Sequence, residues 1–219
     1  EETNPTWSPD GKKIAFSALR AGTFDFFQKA TTGAGIAEPL MESSGGTIES
    51  WTPDGRFLIY NSETKAWALP VNGDRKPTAL FSHSGVHRVA NVSPNMTWIA
   101  YDSNESGSNE IYVQSFPPSG SKFQVSTAGG AEPYWRRDGK ELFYVEGKRL
   151  MAVDVNTTGP SFQFGAPKPL FVVQLETESR RSRYQVAANG QKFLVNVPLE
   201  SAQSAPITVV TNWTAGLKK

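Results

Sequence analysis

Polar turns interrupt short apolar runs along this chain at a near-constant interval. "WSPDGKKIAF" begins at Trp7, "WTPDGRFLIY" at Trp51, "VSPNMTWIAY" at Val92, "WRRDGKELFY" at Trp135 and "VAANGQKFLV" at Val186. The fourth residues of these phrases are Asp10, Asp54, Asn95, Asp138 and Asn189, giving steps of 44, 41, 43 and 51 residues. A repeat of that length matches one four-stranded propeller blade. Asp or Asn at the turn can bond its own backbone, and Gly11, Gly55, Gly139 and Gly190 supply the positive φ that a tight hairpin needs. Each phrase therefore reads as strand, turn, strand.

A third apolar segment follows in every unit: "FDFF" at 24, "AWALPV" at 66, "EIYVQSF" at 110, "RLMAVDV" at 149 and "PITVVTNW" at 206. A fourth follows in most, "EPLM" at 38, "TALF" at 78, "KFQV" at 122 and "KPLF" at 168, each near a Pro or Gly. The second strands, such as "FLIY" and "ELFYV", are apolar on successive residues, as in a sheet covered on both faces. A helical reading fails, because Gly or Pro interrupts almost every window of twelve and no segment keeps the spacing of a helical face. The expectation is an all-β chain, a β-propeller of about five four-stranded blades spanning residues 1–219 as one domain. Its units lie near 1–44, 45–85, 86–129, 130–180 and 181–219. The phrase recurs because one blade cannot bury its own faces and must stack on another. Trp7, Trp51 and Trp135 share one repeat position, which marks them as packing residues between blades.

Composition narrows the function classes. A formal charge of +1 over 219 residues gives no pull toward nucleic acid or an acidic surface. No apolar run approaches the length needed to span a membrane, and "EETNPTWS" does not resemble a signal peptide. The sequence contains no Cys, which removes disulfides, thiolate catalysis and Cys-based zinc sites while leaving the compartment open.

The five phrases resemble the TolB-type propeller repeat, a relative of the WD repeat, whose units read roughly P-x-W-S-P-D-G-K-x-I-A-F followed by an I-Y-V strand. The second half, with "SNESGSNEIYVQSFPPSG", "QVSTAGGAEPYWRRDGKELFY", "KRLMAVDV" and "PITVVTNWTAGLKK", is similar to the C-terminal propellers of bacterial receptor-like serine/threonine protein kinases. That resemblance implies a noncatalytic sensor or protein-interaction module placed outside the cytoplasm, in the periplasm, beyond a kinase domain and a membrane helix. Asn95-Met96 in place of Asp-Gly, Arg136-Arg137 in place of Ser-Pro, and Ala187-Ala188-Asn189 depart from the repeat pattern. Similar repeats also precede the hydrolase domain of prolyl-oligopeptidase-like peptidases, so a substrate-gating propeller is the alternative.

Catalytic signatures are missing from the sequence: no phosphate-binding Gly-rich loop, no H-R-D or D-F-G phrase and no G-x-S-x-G elbow. The expectation is no enzyme activity, no catalytic residue, no cofactor and no metal. "SGSK" at Ser119 spells S-x-x-K but follows "SFPP" as a hairpin loop without partner motifs. His83 and His87 would lie about 13 Å apart on a strand, too far for one metal, and read as loop histidines. "DSNESGSNE", 102 to 110, is rich in oxygen donors, but Val113 occupies the place where a calcium loop would need Glu. The repeat alignment makes it the connection between a second and a third strand. "RRSR", 180 to 183, reads as a solvated insertion or a seat for an anion.

A propeller carries function on the connections from an outer strand to the next inner strand. Those are "SSGGTIES", "SHSGVHRVA", "TAGGAEP" and "SRRSRYQ", which nominate Glu49, His87, Arg88, Glu132, Arg181 and Arg183 as contacts to a protein or small-molecule partner. The ends carry a further expectation. The first unit starts on its inner strand and the fifth lacks a clear outer one, while four extended residues reach only about 13 Å. Open blade edges predict either a larger propeller of which this chain is part, or self-association.

Overall fold

The computed structural model describes residues 2–42, 45–62, 65–82, 90–159, 161–175 and 183–197 and the backbone of 209–211. Their strands form five antiparallel sheets in chain order. The first blade contains β1 (Glu2–Trp7), β2 (Lys13–Arg20), β3 (Thr23–Ala30) and β4 (Glu38–Met41). The second contains β5 (Gly46–Trp51), β6 (Phe57–Ser62), β7 (Lys65–Pro70) and β8 (Thr78–Ser82). The third contains β9 (Ala90–Val92), β10 (Trp98–Ser103), β11 (Glu110–Ser115) and β12 (Lys122–Gln124). In the fourth, β13 (Ala131–Trp135), β14 (Glu141–Glu146) and β15 (Arg149–Asn156) are joined by a short β16 (Gln163–Phe164) and by β17 (Lys168–Val172), both paired with β15. The fifth holds β18 (Tyr184–Val186), β19 (Lys192–Val195) and β20 (Val209–Thr211), three strands among the described residues. No helix occurs among the described residues, so none is long and apolar enough to cross a membrane.

The repeated turn builds each inner hairpin as the sequence implies. Asp10, Asp54, Asp138 and Asn189 each accept the backbone N–H two residues on, at 3.0–3.1 Å. The glycines that follow take φ of 69°, 74°, 72° and 70°. Met96 stands at the same position in the third unit with φ 63°, a left-handed conformation that costs a non-glycine residue about 1–2 kcal/mol. Its side chain packs on the cluster around Ile59, Phe81 and Tyr101, which offsets part of that cost.

The core lies between the blades. In the last four units the residues four past the turn Asp or Asn are Leu58, Ile99, Leu142 and Phe193, and in the middle three those six past it are Tyr60, Tyr101 and Tyr144, all nearly inaccessible. Leu58, Tyr60 and Leu69 of the second blade pack on Ala15, Phe26 and Leu40 of the first. Leu142, Tyr144 and Val153 of the fourth pack on Ala100, Ile111 and Val113 of the third. Trp51 and Trp135 join these interfaces as expected, and Trp135 Nε1 donates to Asn91 O of the preceding blade at 2.9 Å. Trp7 does not. It is 60% exposed, because no described residue packs over the side of the first blade on which it lies.

Candidate functional site on the inner strands

Three inner strands carry one residue more than their partners. The register slips between Thr3 and Thr6 in β1, between Ile48 and Ser50 in β5, and between Ala131 and Tyr134 in β13. A bulge of this kind bends the strand and re-aims a side chain. The residues inside the slips are Asn4-Pro5, Glu49 and Glu132-Pro133, and both Asn4 and Glu132 adopt positive φ, 52° and 55°.

At Glu132 the bulge serves a junction between blades. One carboxylate oxygen accepts the Arg183 backbone N–H at 2.8 Å and the other accepts Arg183 Nε at 2.6 Å. The Tyr184 hydroxyl donates to the Glu132 carbonyl at 2.7 Å. The two charged side chains are 12% and 17% exposed, so this pair is nearly buried. Burial also pushes the Tyr184 hydroxyl far above its ordinary titration range. Two residues nominated as partner contacts thus bind one another and fasten the fifth blade to the fourth.

Glu49 sits within β5 rather than in the loop ahead of it. Its carboxylate accepts the Thr47 hydroxyl at 3.1 Å. The residue is half-buried, and burial among the surrounding strands pushes its carboxyl well above the usual carboxylate range. The charges of Asp102 and Glu132 push the same way, while hydrogen bonds from Thr47 and Asn61 oppose the shift. Acidic groups from the second, third and fourth blades therefore share one electrostatic neighbourhood. These surroundings favour the protonated form, in which a carboxyl can both donate and accept a hydrogen bond. His87, Arg88 and Arg181 lie outside the described residues, as does His83.

Other polar side chains on this side stitch neighbouring blades. Ser50 Oγ donates to Ala90 O at 2.7 Å, Ile48 N donates to Ser17 Oγ at 2.9 Å, and Asn91 Nδ2 donates to Pro133 O at 2.8 Å. Glu110, drawn from the oxygen-rich 102–110 stretch, is buried at the start of β11. It accepts the Ser108 hydroxyl at 3.1 Å, the Gly129 N–H at 3.0 Å and a short bond from the Ser126 hydroxyl, anchoring the connection into the fourth blade. Asp102 accepts Asn109 Nδ2 at 3.2 Å across the hairpin that the repeat alignment placed there. Among the described residues no group of three or more His, Cys, Asp or Glu is arranged to hold a metal ion. Ser119 Oγ bonds Ser115 Oγ at 2.8 Å in the loop after β11. The Asn4-Pro5 and Glu132-Pro133 pairs, each ending two residues ahead of a Trp, are the sequence signal for the bulges.

Comparison with solved structures places this architecture. A crystal structure of TolB from Acinetobacter baumannii superposes with a TM-score of 0.72 at 21% identity, covering 89% of this chain and 48% of that one. The fold is that of a TolB-like β-propeller. The β-propeller domain of Cps50 (Swd1) from Myceliophteria thermophila aligns over 90% of this chain and 62% of its own, with a TM-score of 0.63 at 15% identity. No family model matches the sequence. Among curated relatives, an uncharacterised protein of Agrobacterium fabrum is 25% identical over 156 residues, 64% of this chain and 53% of its own length. Dipeptidyl-peptidase 5 of Aspergillus fumigatus is 30% identical over 90 residues, 35% of this chain and 12% of its own. The chain therefore spans about half of the first relative and a small part of the second.

Proposed function

We propose that this chain is a noncatalytic sensor or protein-interaction propeller, carried outside the cytoplasm on a bacterial receptor-like serine/threonine kinase. The observation that carries the noncatalytic part is the use of the inner-strand polar groups. Glu132, Arg183, Asn91 and Ser50 bond across blades, which makes a rigid frame, and Glu49, a half-buried residue of β5, offers a carboxyl suited to binding. The kinase context and the periplasmic location rest on the sequence likeness of the second half. The purified chain is expected to turn over neither ATP nor peptides; hydrolysis that is lost in Ser119→Ala would overturn the noncatalytic reading. Fractionation and immunoblotting of the native cells test the context: the reading expects the epitope outside the cytoplasm, on a polypeptide that also carries a kinase domain.

The second reading, a substrate-gating propeller of a prolyl-oligopeptidase-like peptidase, draws on the 90-residue match to dipeptidyl-peptidase 5. It expects the same epitope on a polypeptide that contains a Ser-Asp-His hydrolase.

A further inference from the structure

We infer that the third blade carries a binding cleft for a neutral saccharide, lined by Glu105, Ser106, Tyr112, Lys122 and Gln124. The cleft is built on the two outer strands of that blade and the hairpin beside them. It uses none of the inner-strand groups, so the inference does not rest on the function proposed above.

The cleft has a volume of about 510 Å³, within the range of small-molecule sites. The hairpin between β10 and β11 supplies Glu105 and Ser106, β11 supplies Tyr112, and the outermost strand β12 supplies Lys122 and Gln124. Tyr112 is paired with Gln124 and Gln114 with Lys122 across β11–β12, so these four side chains share one side of the sheet. That side faces the second blade, where Tyr112 joins the cluster around Ile59 and Phe81. The Tyr112 ring is held by stacking on Tyr101 at 5.8 Å, and the Tyr101 hydroxyl donates to Gln114 Oε1 at 3.2 Å. Lys122 Nζ lies 5.3 Å from the centre of the Tyr112 ring and pairs with Glu105 Oε1. Strand, hairpin and edge are thus fastened to one another around the cleft.

One polar group in this wall is left over. Tyr112 is 3% exposed, and its hydroxyl has no hydrogen-bond partner among the described residues. The buried hydroxyls of Tyr101 and Tyr184 both find acceptors, at 3.2 and 2.7 Å. A buried hydroxyl without a partner costs stability that a bound polar group returns. The charges around it select the class of that group. Glu105 already neutralises the Lys122 ammonium, which removes the pull on an anion, and the ammonium repels a cation. A peptide would lay apolar side chains against polar walls. An ammonium beside a carboxylate instead presents a donor next to an acceptor, and neighbouring hydroxyls of a sugar meet both, one accepting from Nζ and the other donating to the carboxylate. A further hydroxyl meets the Tyr112 oxygen, which can donate or accept. Ser106 and Gln124, both exposed, add polar contacts at the rim.

The test is saturation-transfer NMR and calorimetric titration of the full chain with glucose, N-acetylglucosamine and the β-linked disaccharide of each. At least one of these sugars is expected to bind with a dissociation constant in the millimolar range or below. Tyr112→Phe and Glu105→Gln should each weaken that binding about tenfold, the loss of one hydrogen bond. Without sugar, Tyr112→Phe should melt no lower than the parent, because the hydroxyl it removes bonds nothing in the folded chain. No saturation transfer to any of the four sugars would overturn the inference. Binding that survives both substitutions would also overturn it, leaving the cleft as a water-filled hollow. Citrate or a mixed peptide library that binds where the sugars do not, and is released by Lys122→Gln, would assign the cleft to an anion or a protein and overturn the saccharide. A Tyr112→Phe melting temperature several degrees below the parent's would show that the hydroxyl is bonded in solution, which removes the ground for a ligand.

Discussion

Replacing Glu132 with Ala is expected to loosen the fifth blade from the fourth. The substitution leaves the Arg183 guanidinium and the Arg183 backbone N–H without the two oxygens that accept them at 2.6 and 2.8 Å. A hydrogen bond to a charged group contributes about 1.5–3 kcal/mol, and removing one partner of a buried pair costs about 3–5 kcal/mol. The pair is nearly but not fully buried, which places Glu132→Ala at about 2–4 kcal/mol. Glu132→Gly removes the same carboxylate but relaxes the φ of 55°, so it should cost about 1 kcal/mol less than the Ala variant. Urea unfolding followed by tryptophan fluorescence measures the totals. Hydrogen exchange at the amides of β18 and β19 shows whether the loss is localised. A double-mutant cycle with Arg183→Ala should return a coupling of about 1.5–3 kcal/mol. Coupling below about 0.5 kcal/mol, or unchanged exchange in the fifth blade, would refute the junction.

Gly55→Val and Gly139→Val should each cost about 1–2 kcal/mol, because both glycines hold left-handed φ; the Gly139 variant should cost more, since its Cβ would lie 3.3 Å from Thr157 Oγ1, and unchanged melting in both would disprove the turn assignment. Gly130→Ala should cost about 1–3 kcal/mol as an overpacked site, because the new Cβ would meet Ile111 Cγ1 and Ser126 Oγ at 2.6 Å, next to the Glu110 anchor; a melting curve identical to the parent's would contradict this. Glu49 carries a raised folded-state pKa, so its favourable contribution is present below the unfolded value and is lost as pH rises through the folded one. Glu49→Gln should therefore stabilise the protein at neutral pH and leave it unchanged below about pH 4, with parallel pH–stability curves for parent and variant as the contrary result.

The hairpins were legible because their determinants are local. Asp, Asn and Gly at the five turns fix both the backbone shape and the side-chain bond to it, and the strands begin and end within a few residues of the expected segments. Met96 shows the limit of that legibility, since the turn conformation persists at φ 63° without glycine once the neighbouring apolar cluster holds the side chain. The inner-strand bulges were not read, because a slip depends on pairing with a second strand. Glu132 and Arg183, 51 residues apart, were nominated as partner contacts from the charge of their loops. Charge alone does not reveal that two such groups meet. Trp7 failed for a related reason: repeat position specifies which way a residue faces, and burial depends on what lies opposite.

The central claim is that each repeated phrase is the inner hairpin of one blade in a TolB-like propeller. A crystal structure of the 219-residue chain tests it most directly. The account predicts successive antiparallel sheets that do not exchange strands, Trp51 and Trp135 at blade interfaces, and Asp10, Asp54, Asn95, Asp138 and Asn189 related by rotation about a common axis. Strands paired between units, or a helix content above about a fifth, well within the ordinary range for globular domains, would contradict it.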